Sequence, residues 1–217
     1  MEKKNLIIIG VVVVIIAVLG VLFVTNVLNV NGAQTPFDTE FMSGSFSGNV
    51  EKKELNESYL ASYHDNQNNI TYNLTTMDNS SALMEIYKFQ GVLGPEYRTY
   101  NGNNWSIYFG EAMPVVNNSV NVSANNSMGI VICEIQHESQ GYVVYAIFED
   151  LNKVNFTVNT FGDSFVQYIE PLLKTINLKE TENVPAVHEQ FGMTKEQFDQ
   201  QIQLIRLLQS GNSSSSK

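Results

Sequence analysis

The sequence predicts an α+β fold: an N-terminal transmembrane helix, then an antiparallel β-sheet domain with packed helices, then a C-terminal amphipathic helix. Three observations predict it. Leu6 to Val24 runs without a charge, and a helix needs about 20 such residues to cross a hydrocarbon core roughly 30 Å thick. From Gly44 onward, short apolar stretches alternate with Asn-, Gly- and Ser-rich turns, the pattern of hairpins. From Thr194 the apolar spacing lengthens from two residues to three or four, the period of a helix.

The anchor comes first. Residues 1–5 form a cytoplasmic tip, and residues 6–28 are expected to lie in a lipid bilayer. Lys3 and Lys4 precede the run and the next basic residue is Lys52, so the positive-inside rule places the N-terminus in the cytoplasm and the main domain outside the cell membrane. Residues 29–43, with Gly32 and Pro36 and no periodicity, read as a linker. Residues 44–180 then form the α+β domain, 181–210 a helical extension and 211–217 a flexible tail.

Within the domain, Tyr59–Tyr63 and Ile70–Met77 flank a polar loop and form a first hairpin. Ala82–Phe89 is expected as a strand with apolar residues on both phases. Glu96–Tyr100 and Asn104–Glu111 form a second hairpin, with Asn101-Gly102 supplying the positive φ of a tight turn. Met113–Ser127 is rich in Asn and reads as an exposed loop. Gly129–Gln136 and Tyr142–Phe148, apolar on both phases, belong at the centre of a sheet covered on two faces.

Phe161, Phe165, Tyr168/Ile169, Leu172 and Ile176 recur at helical spacing, with Pro171 expected to kink or shorten the helix. Ile176–Leu178 is a candidate closing strand. The last helix carries a Thr194/Gln197 capping box and an apolar stripe of Phe198, Ile202, Ile205 and Leu208. That stripe packs on its own domain or docks another chain.

Composition limits the function classes. The net charge of −10 disfavours a nucleic-acid partner, because phosphate binding needs a basic surface. A single cysteine excludes an intrachain disulfide and a Cys-rich zinc site. Charged residues are only 16% of the chain, and 25 Asn with 30 Ser and Thr carry the polarity instead.

No catalytic or metal-binding constellation is legible, and no cofactor is implied. His64, His137 and His188 each precede an acid, but none has a second histidine at zinc-binding spacing, so solvated turn positions are expected. Cys133 shares a strand phase with Val131 and Ile135, the setting of an inert buried thiol. Asp65–Asn69 lacks the glycine of a calcium loop.

N-x-[ST] glycosylation acceptors stand at Asn56, Asn69, Asn73, Asn79, Asn104, Asn117, Asn121, Asn125, Asn155 and Asn212, more than random placement of these residues would give. All follow the apolar run, which fits an exported, glycosylated domain. Aromatic residues gather in the second hairpin, and Trp105, Tyr100 and Tyr108 are candidates for surface contacts with protein or glycan. Alternation also puts Trp105, Ile107 and Phe109 on one face, where core packing would bury them.

The Val/Ile anchor, the stretch Phe41-Met42-Ser43-Gly44-Ser45-Phe46 and the Asn-rich strands resemble membrane-anchored surface proteins of methanogenic archaea. Paired antiparallel strands followed by Phe165-Val166-Gln167-Tyr168-Ile169, Leu172-Leu173-Lys174-Thr175-Ile176 and a closing strand resemble the PsbP-like α/β/α sandwich over Ser43–Leu178. The resemblance implies a scaffold and no activity. The functional expectation is a non-catalytic module of the cell envelope that binds a protein or glycan. The alternative is an envelope hydrolase or ligand-binding protein whose site forms from residues distant in sequence.

Overall fold

The computed structural model describes residues 34–55, 57–112, 115–116, 119–120, 128–149 and 164–213. Seven antiparallel strands form the main sheet, in the order β3-β4-β5-β11-β10-β7-β6. They are β3 (Glu51–Lys53), β4 (Leu60–Asp65), β5 (Ile70–Met77), β6 (Leu93–Tyr100), β7 (Asn103–Ala112), β10 (Met128–His137) and β11 (Gln140–Phe148). A smaller sheet joins β1 (Gln34–Asp38), β2 (Met42–Ser47) and β12 (Asn177–Leu178). Between β7 and β10, the two-residue strands β8 (Val115–Val116) and β9 (Ser119–Val120) pair with each other.

Strand alternation divides the core into two layers. On the first face, Tyr72, Leu74, Trp105, Ile107, Val131, Cys133, Val144 and Phe148 pack against Phe37, Phe41, Met42 and Phe46 of the small sheet. Phe165, Ile169, Leu172 and Leu173 complete that layer. On the second face, Ile132, Val143, Tyr145 and Ile147 meet α1 (Ser80–Phe89) and α3 (Lys195–Ser213). β11 is buried at every position because it receives both layers.

Two hairpins follow their local chemistry. Asn101 and Gly102 take φ of 48° and 77° between β6 and β7, the left-handed pair that a tight hairpin turn requires. β10 and β11 pair from Gly129↔Phe148 to His137↔Gln140. The helical segment after residue 163 opens as a π-turn, Phe165–Ile169, and continues as α2, Glu170–Leu173. Pro171 has no N–H to give the i→i−4 ladder, and the Glu170 N–H reaches Phe165 O instead, one residue further back.

Several expectations are corrected. Among the described residues no helix is long and apolar enough to cross a membrane. The longest, α3, carries Lys195, Glu196, Asp199 and Arg206, and charges of this kind are costly in hydrocarbon. This overturns the transmembrane-helix part of the expected fold class, the single-pass topology and the membrane localisation drawn from it. The run at 6–28, with its expected bilayer contact, lies outside the described residues.

The expected linker is also corrected from residue 34 onward. β1 and the start of β2 are structural, with Phe37, Phe41 and Met42 buried. Ala82–Phe89 is helical, not a strand. Ala82, Leu83, Ile86 and Tyr87 bury one helical face, and Asn79 Oδ1 accepts the Ala82 N–H at 3.1 Å as the N-cap, which satisfies a donor the first turn would leave unpaired. The stripe of α3 ends one turn earlier than expected: Phe198, Ile202 and Ile205 are buried, whereas Leu208 is 42% exposed.

Candidate functional site

The edge strand β3 separates two features. In front of it, a cleft of about 420 Å³ opens between the β1–β2 turn and the connection from β3 to β4. Asp38, Thr39 and Glu40 form one wall; Lys52, Lys53, Leu55, Glu57, Ser58, Leu60 and Ala61 form the other. This volume falls in the range of ordinary ligand sites.

The first wall is held by short-range hydrogen bonds. Thr39 Oγ1 donates to Met42 O at 2.7 Å and accepts the Met42 N–H at 2.9 Å. Lys179, just beyond β12, donates through Nζ to Thr39 O at 2.9 Å and pairs with Asp38. The second wall is set by the register Glu51↔His64, Lys52↔Tyr63 and Lys53↔Ser62. Glu51 Oε2 accepts from Asn66 Nδ2 at 3.2 Å and from Lys53 Nζ at 3.4 Å. Both contacts hold its carboxyl below the usual range, Asn66 being the stronger cause. Lys52 and Glu40, on opposite walls, have no ion-pair partner among the described residues.

Behind β3 lies a polar patch on the second face of the sheet. Thr71 Oγ1 donates to Glu149 Oε1 at 2.5 Å and lies 3.0 Å from His64 Nδ1. His64 Nδ1 is itself 3.5 Å from Glu149 Oε1. With Nδ1 protonated, the chain runs imidazole to hydroxyl to carboxylate, which leaves Nε2 to accept a proton. Burial pushes Glu149 up, against the Thr71 hydrogen bond and the Lys53 charge. Burial, then Lys53, pushes His64 down, against Asp65 and Glu51. Each group is thus biased toward its neutral form, as desolvation demands.

Next to this relay, the cross-strand pair Ser62 and Asn73 is fully buried, and Ser62 Oγ and Asn73 Oδ1 have no hydrogen-bond partner. Each such group costs about 1–3 kcal/mol.

The residues singled out from sequence fall elsewhere or are changed in role. Asn73 is 1% exposed, so an oligosaccharide there is incompatible with this packing. Asn69 is half-buried in the β4–β5 turn at φ 51°. Asn79 spends its side-chain oxygen as a helix cap, and exposed Asn104 accepts from Thr99 at 2.7 Å. Asn212 lies in the last turn of α3. Asn56, Asn117, Asn121, Asn125 and Asn155 lie outside the described residues.

The aromatic surface contact is corrected: Trp105 is 0% exposed and Tyr108 6%, one in each core layer, and Tyr100 is half-buried. Alternation along β7 sends Trp105 inward on the first face and Tyr108 on the second. His64 is a strand residue, not a solvated turn. His137 is exposed at the end of β10, and His188 Nδ1 lies 2.9 Å from Met193 O. Cys133 is buried, which pushes its thiol well up. Asp65 accepts the Gln67 and Asn68 N–H groups at 2.9 and 3.0 Å, which explains its loop without an ion. Among the described residues no group of three His, Cys, Asp or Glu is placed to hold a metal.

Sequence reading missed Lys52, Lys53, Thr71 and Glu149. The available signal was the polar phase of β5, Thr71, Asn73 and Thr75, which suggests solvent but is buried at 7%, 1% and 3%. No protein-family model matches the chain, and no curated protein matches it.

Proposed function

We propose that the chain is a protein-recognition module that binds an extended polypeptide segment in the cleft beside β3. The observation that carries this reading is the coincidence of a 420 Å³ cleft with the edge strand of the seven-stranded sheet. An edge strand offers unpaired backbone groups to an added strand. The cleft adds Lys52 and Glu40 as uncommitted charges on opposite walls, and Leu55 and Leu60 as apolar contacts. A zwitterionic wall with apolar patches fits a peptide of mixed charge better than a polyanion.

The test is selection of a random-sequence peptide library on the full chain, followed by titration of enriched peptides into Lys52→Glu and Glu40→Lys variants. Binding should weaken at least about tenfold in each and be unchanged in Tyr97→Ser on the opposite edge. Equal binding to all four proteins, or no enrichment, overturns the proposal.

A second reading, recognition of a small polar ligand behind β3, is favoured by the buried unpartnered oxygens of Ser62 and Asn73 beside the His64–Thr71–Glu149 chain. It predicts that a hydroxyl-rich probe such as a monosaccharide shifts the His64 ring resonances saturably. Unshifted resonances would exclude it.

A further inference from the structure

We infer that the free edge of β6 pairs antiparallel with β6 of a second copy of this chain, about a two-fold axis through Tyr97, joining the two main sheets edge to edge. Among the described residues no strand lies beyond β6, and Glu96, Tyr97, Arg98 and Thr99 are all exposed. The irregularity in its pairing with β7 falls between Leu93 and Glu96. From Glu96↔Ile107 to Tyr100↔Asn103 the register is unbroken. That stretch is a ready template for a further strand.

The hairpin turn decides which backbone groups point outward. Across a two-residue turn the flanking pair, here Tyr100 and Asn103, exchanges both of its hydrogen bonds. Tyr100 and Arg98 therefore turn their backbone groups to β7, and Thr99 and Tyr97 turn theirs to the free edge. An independent contact agrees: Arg98 Nη1 donates to Tyr97 O at 3.0 Å, as fits a carbonyl facing away from β7. That bond is exposed and exchanges at little cost for a backbone donor.

Charge identifies the occupant, because Glu96-Tyr97-Arg98 is its own complement. Glu96 and Arg98 share the first face, opposite Ile107 and Trp105 of β7. An axis through Glu96 would set Glu on Glu, and one through Arg98 would set Arg on Arg; like charges directly opposite are destabilising. An axis through Tyr97 sets each Glu96 opposite Arg98 of the other copy, twice over. Within one copy the two already meet at 3.1 Å, each side chain 47% exposed, a contact of little worth that is re-made across the axis. A uniformly acidic or basic strand would satisfy one of these charges and oppose the other. In the same register the two Tyr97 residues exchange backbone bonds, and each Thr99 N–H meets the Pro95 carbonyl of the other copy. On the second face the Tyr97 rings, 66% exposed in a single copy, lie side by side as a cross-strand aromatic pair. β3 and its cleft stay open at the outer edges.

The experiment is sedimentation of the full chain from about 5 µM to about 500 µM. It compares wild type, Glu96→Arg, Arg98→Glu, the double exchange Glu96→Arg/Arg98→Glu, and an equimolar mixture of the two single variants. Both substituted side chains are exposed, so unchanged thermal unfolding verifies folding. The uncharged Leu6–Val24 run is common to every variant, so only differences between variants are read. Each single variant should raise the monomer–dimer midpoint at least about tenfold, because two like-charge pairs replace two attractive ones. The mixture and the double exchange should return to the wild-type midpoint. Glu96→Arg makes the chain less negative, so overall repulsion alone predicts the opposite change for that variant.

A wild type that stays monomeric, or single variants with the wild-type midpoint, overturns the inference. So does a mixture or a double exchange that associates no better than the single variants. If wild type stays monomeric while Glu96→Arg loses peptides selected from a random library, a foreign strand is the occupant and the self-pairing fails.

Discussion

Thr71 and Glu149, 78 residues apart in the chain, are joined by a 2.5 Å hydrogen bond that also places Glu149 beside His64. Two groups with opposite titration behaviour therefore share one hydroxyl. Glu149 sits above its ordinary 4.5, so the stability it contributes is present below pH 4.5 and is lost as pH rises through its folded value. His64 sits below its ordinary 6.5, so its contribution is present above pH 6.5 and is lost as pH falls through its folded value. The two act with opposite sign: Glu149 lowers stability as pH rises from 4.5 to its folded value, and His64 raises stability as pH rises from its own folded value to 6.5.

Glu149→Gln removes the loss on raising pH, so the fall in stability that Glu149 causes above pH 4.5 should disappear. Thr71→Val removes a bond that lowers Glu149, so the carboxyl should titrate higher still. Urea midpoints between pH 4.5 and 7.5 measure the first, and carboxyl NMR titration the second. A Glu149→Gln profile that overlays wild type would contradict the assignment.

Ser62 is 0% exposed, and its hydroxyl has no partner. Ser62→Ala should therefore stabilise the fold, by about 1 kcal/mol, because it removes an unpaired buried polar group and leaves little space. Loss of stability in chemical denaturation would mean that the hydroxyl is satisfied in solution.

Phe198 is 3% exposed and stacks on Phe191 with ring centroids 6.0 Å apart. Phe198→Ala should cost about 3–5 kcal/mol, the usual range for emptying an aromatic core position. Leu207→Ser, on the exposed face of the same helix, should stay within about 0.5 kcal/mol for the monomer. Equal effects of the two would show that α3 does not dock as described.

Gly141 is the second residue of β11, where a Cβ would run into the side chain of Ser80 and come within 2.9 Å of Gln136 Oε1. Ser80 cannot easily yield, because its Oγ lies 2.7 Å from Glu134 Oε1 and its N–H donates to Gln136 at 2.9 Å. Gly141→Ala should cost about 1–3 kcal/mol through overpacking, read as a lowered denaturation midpoint. A neutral result would place α1 further from the sheet.

Several elements were legible because their signals are local. The Asn101-Gly102 turn, the doubly apolar β10 and β11, and the Thr194/Gln197 capping box need only neighbours along the chain. In that box the Thr194 N–H meets Gln197 Oε1 at 2.9 Å, and the Gln197 N–H meets Thr194 Oγ1 at 3.2 Å. Over 80–89 the pattern is ambiguous, because apolar residues on both strand phases also describe a helix buried over a wide arc. Asn79 as N-cap and the run of good helix formers from Ala82 to Lys88 were the deciding clues.

Backbone preference and capping, acting within a few residues, specify the hairpins, the turn chemistry and the start of α3. Burial and convergence, by contrast, arise from packing between elements far apart in the chain. Alternation marks Thr71, Asn73 and His64 as one polar phase, yet periodicity cannot say whether that phase meets water or Glu149 from the end of β11. The cleft, likewise, exists because the β1–β2 turn is held by Lys179 opposite β3, a relation across 141 residues. Contacts of that range are selected by the packing of two core layers, and no local pattern encodes them.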